Sequence, residues 1–520
     1  MLFAAFFTDH LIIAEASPAV KTAQAIRTAF ERMIFMTKPS FNVCFVISEA
    51  EPLIKVGGLG DVGGTLPEAL INLPPEMTDG RQVDVRVVIP YHDILKEKQI
   101  PVKWICNYKI PYENGLFQDV YVSQAEGMPV PIYLIDGDPI RGKGVYSSDS
   151  VVDGYKYIFF SAAACELFKH INWIPDVLHS HDWHTGASVM KMKQMRAYNS
   201  AYRNIKTLYT IHNLPYAGGN HKNILDSYGI EESYAEYIPS WMRSCPMSLG
   251  LSAADKISTV SETYAKEIMT DEFGHGYQYY LQKNSARVCG IVNGIMPDQW
   301  NPMTDRVLYA NYDVDSLEKR IENKRMIQRE VGLPQNDDVP LIIMIGRLDY
   351  QKGFDLAFSA LRSIRDMNWQ ALILGSGNPS IQNDCLALSH EMPDRVHVEI
   401  RYDANFSRKM YAAGDMLLMP SRYEPCGIAQ MIAMLYGCVP IAHATGGLKD
   451  TIKDPYDNNE SYTGFLFNDA LTDACAGAVR RSLIAYSDRE QWVALQKRCM
   501  VQDFTWEKSA KKYYDLYKSL

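Results

Sequence analysis

Lys55-Val56-Gly57-Gly58-Leu59-Gly60-Asp61-Val62-Gly63-Gly64 sits just after an apolar, strand-like run at residues 43–47. Consecutive glycines let a backbone pass close to a ligand, and Lys55 adds a point charge suited to an anion. A helix is predicted from near Thr65, with Pro67 in its first turn, so that free N–H groups face that ligand. The stretch reads as a phosphate-facing loop or as a tight structural connection. A second strand end, around Glu424, favours the first of these.

Outward from this loop, strand-like and helix-like runs alternate. Residues 83–90 and 130–135 are β-rich, residues 155–170 are helical in pattern, and residues 176–184 and 206–212 pass from strand into turn. Such alternation implies a parallel sheet with helices on both faces, whose ligands sit at the carboxyl ends of the strands. His181 and His212 both fall at such ends. After a charged helical run at residues 314–331 a second series begins, with strands expected at 340–345, 370–374, 396–400, 416–419 and 439–442. Each finishes in glycine, charge or hydroxyl, which marks the ligand edge of a second doubly wound domain. The boundary is expected near residues 290–302.

A chain of 520 residues exceeds one ordinary core, and 47% apolar with 22% charged residues is a soluble globular balance. The net charge of −9 makes a nucleic-acid backbone an unsuitable partner. Ten cysteines without a CxxC pair point to reduced thiols in a cytoplasm, not to a disulfide framework or a zinc knuckle. No run reaches the length of a membrane span, and the interrupted apolar patch near the N-terminus lacks the basic start of a secretory signal and suits a transit peptide badly. Residues 1–35 read as a start placed too far upstream, with a docking helix at 19–35 as the alternative.

Eight motifs occur in order: Lys55-Val-Gly-Gly-Leu-Gly-Asp61, His179-Ser-His-Asp-Trp-His184, Thr210-Ile-His-Asn-Leu214, Thr259-Val-Ser-Glu-Thr-Tyr-Ala265, Val292-Asn-Gly-Ile295, Gly346-Arg-Leu-Asp-Tyr-Gln-Lys-Gly353, Ser421-Arg-Tyr-Glu-Pro-Cys-Gly427 and Thr445-Gly-Gly-Leu448. Together they resemble the bacterial glycogen synthases and plant starch synthases. The resemblance implies two Rossmann-like α/β domains facing across a cleft (the GT-B fold), a glucosyl nucleotide donor, usually ADP-glucose, and an α-1,4-glucan acceptor, with no metal and no cofactor. It divides the chain into an extension at 1–35, an acceptor-side domain at 36–292, a nucleotide-sugar domain at 293–500 and a helix at 501–520 that returns to the first domain. Met296 departs from the aspartate usual after Asn-Gly-Ile, and Ala429 from a position often polar in bacterial members.

Glucosyl transfer must stabilise a negative leaving group and an oxocarbenium-like sugar. Arg347 and Lys352, five apart across a strand-to-helix turn, can reach one diphosphate, with Lys55 completing the clamp from the other domain. Glu424 is expected to bind sugar hydroxyls and oppose charge at the anomeric carbon, its plainer reading being a helix N-terminal acid. N–H groups at Gly427 and at Thr445, Gly446 and Gly447 are expected to hold phosphate or sugar oxygens. His181 is expected to hydrogen-bond a sugar hydroxyl. His179, His181 and His184 also invite a metal reading, but no Cys or Glu completes a tetrahedron. Tyr402 is a stacking surface for the base or a core tyrosine, and Cys426 a small residue near the site. Gly58, Asp61 and Asn293 complete the expected substrate contacts. A sugar-nucleotide sensor or scaffold, a UDP-glucose enzyme and a pyridoxal-dependent phosphorolytic enzyme are the competing readings.

Overall fold

The computed structural model describes residues 40–142, 144–457 and 460–520. Both readings of residues 1–35 lie outside them. The first sheet comprises β1 (Phe41–Val46), β2 (Val83–Pro90), β3 (Val102–Pro111), β4 (Phe117–Ala125), β5 (Ile132–Asp136), β6 (Val177–His181), β7 (Lys206–Ile211), β8 (Lys256–Thr259) and β9 (Val288–Gly290). Its order is β3-β4-β5-β2-β1-β6-β7-β8-β9. β1 pairs parallel with β2 and β6, so the strand order reverses there and a crevice opens at the carboxyl ends. β6 is buried along its whole length and β1 nearly so, because helices cover both faces.

The expected all-parallel sheet is corrected at one edge. β3 and β4 form an antiparallel hairpin, and β4 runs antiparallel to β5. Along the hairpin Tyr108, Ile110, Val120 and Val122 are buried, whereas Trp104, Phe117 and Tyr121 are exposed. One covered face and one wet face is the pattern an antiparallel edge tolerates.

The second sheet comprises β10 (Leu341–Ile345), β11 (Gln370–Leu374), β12 (Val396–Glu399), β13 (Met416–Met419), β14 (Val439–His443) and β15 (Phe465–Phe467), in the order β12-β11-β10-β13-β14-β15. All its pairings are parallel. Its switch point lies between β10 and β13, and the strand ends there face those of β1 and β6.

The chain crosses between the two bodies twice, side by side: Ile295 N–H donates to Phe504 O at 2.8 Å. A Cβ on Gly294 would lie 2.5 Å from Trp506 Cα, so only glycine allows this crossing. The final helix, Trp506–Lys518, buries Trp506, Ser509, Ala510, Tyr513, Tyr514 and Tyr517. That spacing makes one apolar stripe, and it packs on the first domain, where Tyr514 OH donates to Thr78 O at 2.8 Å.

Candidate active site

Between the two switch points lies a cleft of about 670 Å³, lined from the first domain by Glu49, Gly57, Gly58, Asp61, Trp183 and His212 among others. The helix that was expected from Thr65 begins at Gly58, and Pro67 sits in its interior. The glycines divide between the two readings of the loop. A Cβ on Gly63 would lie 2.2 Å from Glu49 O, and one on Gly64 2.1 Å from Glu51 O, so these two permit close packing. Gly57 and Gly58 have nothing within 4 Å and face the cleft.

What holds this turn is Glu49, which sequence reasoning missed. Its side chain is 2% exposed. Its carboxylate accepts from the Val56 and Gly57 N–H groups and from the Tyr146 hydroxyl, fixing the turn that leads into the helix. The signal was an acid at the end of a buried strand, the same signal that singled out Glu424. Lys55 is placed differently from expectation. Its ammonium lies 2.5 Å from Asp61 and 3.2 Å from Glu51, outside the residues that line the cleft. Burial raises Asp61 to about 6 against the lowering pull of Lys55.

The next two strand ends supply the neutral part of this wall. Asp182 follows β6 at φ +53, a conformation rare outside glycine. Its Oδ1 accepts from the N–H groups of His212 at 2.7 Å and Asn213 at 3.1 Å. Burial pushes the Asp182 carboxyl up to about 7 and the His212 imidazole down to about 3. His181, expected to meet the sugar, is fully buried and does not reach the cleft. It sits behind His212, its Nδ1 at 3.0 Å from His212 Nε2. The histidine facing the cleft therefore comes from the adjacent strand. His179 is also taken up internally, bonded to Tyr517 OH and Thr210 Oγ1. Among the described residues no group of three His, Cys, Asp or Glu side chains is placed to hold a metal.

The second domain lines the cleft with Arg347, Gln351, Lys352, Glu424, Cys426, Gly427 and Ile428. Lys352 Nζ is 2.6 Å from Glu424 Oε2, which also accepts from Ser421 Oγ at 3.0 Å. Glu424 is 6% exposed, whereas the Arg347 side chain is 60% exposed and lies 3.3 Å from both Asp349 Oδ2 and Gln351 Oε1. Asn293 lines the cleft with a buried Oδ1 that has no partner among the described residues. Burial raises the Cys426 thiol to about 12, so it is a small neutral group and not a nucleophile.

Three expected contacts are reassigned. Gly446 N–H and the Thr445 hydroxyl both donate to Glu267 of the first domain at 3.0 Å, and Gly447 N–H donates to Glu424 O at 3.1 Å. The turn is thus already engaged and supports Glu424 from behind. A Cβ on Gly446 or Gly447 would lie 2.0 Å from Glu424 O or Cys426 O, which is why two glycines stand there. Tyr402 is 85% exposed in the loop after β12 and does not line the cleft, so it is not a core tyrosine.

The model of the starch synthase catalytic domain matches residues 42–283, and that of glycosyl transferases group 1 matches residues 327–498. Over 488 residues the chain is 37% identical to the glycogen synthase of Streptococcus sanguinis, covering 92% of this chain and 100% of that one. This chain belongs to the glycogen synthase family. Another member, the glycogen synthase of Bacillus cereus, is 36% identical over 489 residues, 92% of this chain and 99% of its own. The catalytic domain of starch synthase IV from Arabidopsis thaliana, solved with ADP and acarbose bound, matches with a TM-score of 0.83 and 30% identity. That match covers 92% of this chain and 99% of the plant domain. The two facing sheets are the GT-B arrangement of the glycogen synthase family.

Proposed function

We propose that this chain is a cytoplasmic glycogen synthase that transfers glucose from ADP-glucose to the non-reducing end of an α-1,4-glucan, with retention at the anomeric carbon. The observation that carries this reading is the Lys352–Glu424 pair at the second domain's switch point, opposite the neutral wall of Trp183, His212 and Asn213. Arg347 and Lys352 stabilise the departing diphosphate, joined by Lys55 once it leaves Asp61. Glu424 binds sugar hydroxyls and opposes the growing charge at the anomeric carbon. Tyr402 offers an open ring for the base. Residues 36–292 serve the acceptor and residues 293–500 the nucleotide sugar.

Among the described residues five carboxylates line the cleft, Glu49, Asp61, Asp153, Asp182 and Glu424, and each already has a partner. Glu49 and Asp182 accept backbone N–H groups, Asp61 pairs with Lys55, Asp153 with Lys156, and Glu424 with Lys352. None stands free as a nucleophile behind the sugar, which supports front-face transfer in which the leaving phosphate deprotonates the incoming 4-hydroxyl. A trapped glycosyl-enzyme adduct would overturn that step. The direct test of the whole reading is incorporation of labelled glucose into glycogen. A larger kcat/KM with UDP-glucose than with ADP-glucose overturns the donor assignment, and no incorporation from either leaves the sensor reading.

A further inference from the structure

His181 and His212 meet nitrogen to nitrogen at 3.0 Å, so one hydrogen is shared and its direction is a chemical choice. Burial holds both imidazoles below their ordinary pKa, which leaves two neutral tautomers of the pair. The surroundings of His181 decide between them. Its ring is fully buried, stacked on Phe45 at 5.2 Å and tilted against His179 at 4.0 Å. Its Nε2 is enclosed and has no hydrogen-bond partner among the described residues. If His212 donated from Nε2, His181 would have to carry its hydrogen on Nε2 and bury an orphan N–H. If His181 donates from Nδ1, Nε2 is only a bare acceptor, the defect that folded proteins tolerate more readily.

We infer that His181 is a positioning residue that holds His212 as the Nδ1–H tautomer, so that the imidazole presents a hydrogen-bond donor to the cleft. His212 lines the cleft, and its backbone N–H is held by Asp182 at 2.7 Å, so the ring is placed from both ends. Its Nδ1 has no partner among the described residues and is not enclosed as His181 Nε2 is. A donor at that point suits an acceptor oxygen of the bound sugar nucleotide, on the glucose or on the diphosphate. This step rests on the reading of the cleft as the donor site. His179 extends the same support outward, since it packs tilted against His181 and bonds Tyr517 OH at 2.9 Å in the final helix.

The test reads the tautomer directly. In full-length protein labelled with ¹⁵N-histidine, nitrogen shifts and couplings should report His212 protonated on Nδ1, the signal being assigned by its loss in His212→Asn. A His212 protonated on Nε2 overturns the inference, whatever the variants do. His181→Phe should lose that preference and at least tenfold in kcat, with KM for glycogen unchanged. His181→Asn, whose amide N–H lies near the original Nδ1, should recover most of the loss. Phe and Asn variants of equal activity would reduce His181 to a packing residue and sink the proposal. Titration with ADP separates the two oxygens: unchanged ADP affinity in His181→Phe places the acceptor on the glucose, and weakened affinity places it on the diphosphate. Full activity in His212→Ala would refute the cleft reading while leaving the tautomer measurement intact.

Discussion

The two walls of the cleft use charge in opposite ways. On the second domain Lys352 and Glu424 lie 2.6 Å apart at the cleft surface, and Arg347 is largely exposed beside them. On the first domain the charges are engaged internally: Glu49 holds the turn before a helix, Lys55 pairs with Asp61 and Glu51, and Asp182 holds two backbone N–H groups. Besides those paired carboxylates, what that wall shows the ligand is glycine backbone, Trp183 and neutral His212. A diphosphate is therefore drawn to one wall, while the other is suited to uncharged sugar, where fixed hydrogen bonds and ring faces serve better than a strong field.

The largest effects should come from breaking the charged wall. Lys352→Ala removes one partner of a part-buried, charged hydrogen bond, a loss on the order of 2 to 5 kcal/mol once the cleft closes on its ligand, or roughly 30-fold to several thousand-fold in kcat/KM. It should also weaken binding of free ADP. Glu424→Gln keeps the shape but removes charge needed in the transition state, so kcat should fall by roughly 10²-fold or more with little change in donor affinity. Because the two side chains are paired, Glu424→Gln releases Lys352 toward phosphate, and ADP should bind as tightly as to wild type or more so. Calorimetric titration with ADP checks this. Equal weakening in both variants would mean that the wall is not divided between phosphate and glucose.

Lys55 tests whether the other wall stays silent. To reach a diphosphate it must exchange Asp61 for the ligand, so part of its attraction is offset by the pair it leaves. Lys55→Gln should raise KM for ADP-glucose roughly 10- to 50-fold, about 1.4 to 2.3 kcal/mol, with kcat much less affected. The wild-type advantage should shrink with added salt, since the Lys55 side chain is 36% exposed. A variant whose KM is unchanged would keep Lys55 in a purely structural role.

Much of this site could be read from local sequence because apolar strands that end in glycine or charge place their ends together in a parallel sheet. That logic located Arg347, Lys352 and Glu424, and the apolar runs at 43–47, 83–90, 340–345 and 416–419 fall, to within a residue or two at their ends, on strands of the two sheets. It failed where the deciding contact is distant. Thr445 and Gly446 look like a free anion site until Glu267, 178 residues earlier for Thr445, is seen to occupy it. His181 looked better placed than His212 because strand alternation says nothing about a neighbouring strand whose end projects further. Glu49, though visible as an acid near a strand end, was passed over because two of its three partners are backbone N–H groups, which leave no mark in a sequence. The β3–β4 hairpin was missed because attention to buried runs overlooks a half-exposed alternation.

The neutrality of the first wall predicts a pH dependence at Asp182. Burial raises its pKa from 3.8 to about 7 in the folded protein. Between those values the folded state holds a proton that the unfolded state has released, so stability falls as pH rises through this window. The contribution is fully present below about pH 4 and lost as pH passes 7. Asp182→Asn should keep one oxygen for the His212 and Asn213 N–H groups and flatten that part of the curve. Thermal melts should show the variant gaining on wild type by on the order of 1 to 2 kcal/mol between pH 4 and 8. A wild type that gains on the variant over this range would show that Asp182 folds as a stabilised anion, and the wall would then be charged.

The smallest effect is expected where the walls meet away from the chemistry. Thr263 of the first domain donates from its N–H to Asp450 Oδ2 at 2.9 Å and from its hydroxyl to Oδ1 at 2.5 Å. This contact is exposed, so its net worth should be about 0.5 to 1 kcal/mol. Asp450→Ala leaves the Glu267 contact to Thr445 and Gly446 in place, and the two crossings at residues 291–295 and 503–506 still join the domains. Tm should drop by roughly 1 to 4 °C and kcat/KM should stay within about twofold of wild type. A change of more than about fivefold in kcat/KM with an unaltered Tm would give Asp450 a part in setting the distance between the walls. The charged and neutral sides would then act as one coupled element, and the variants of each would have to be compared at equal cleft opening.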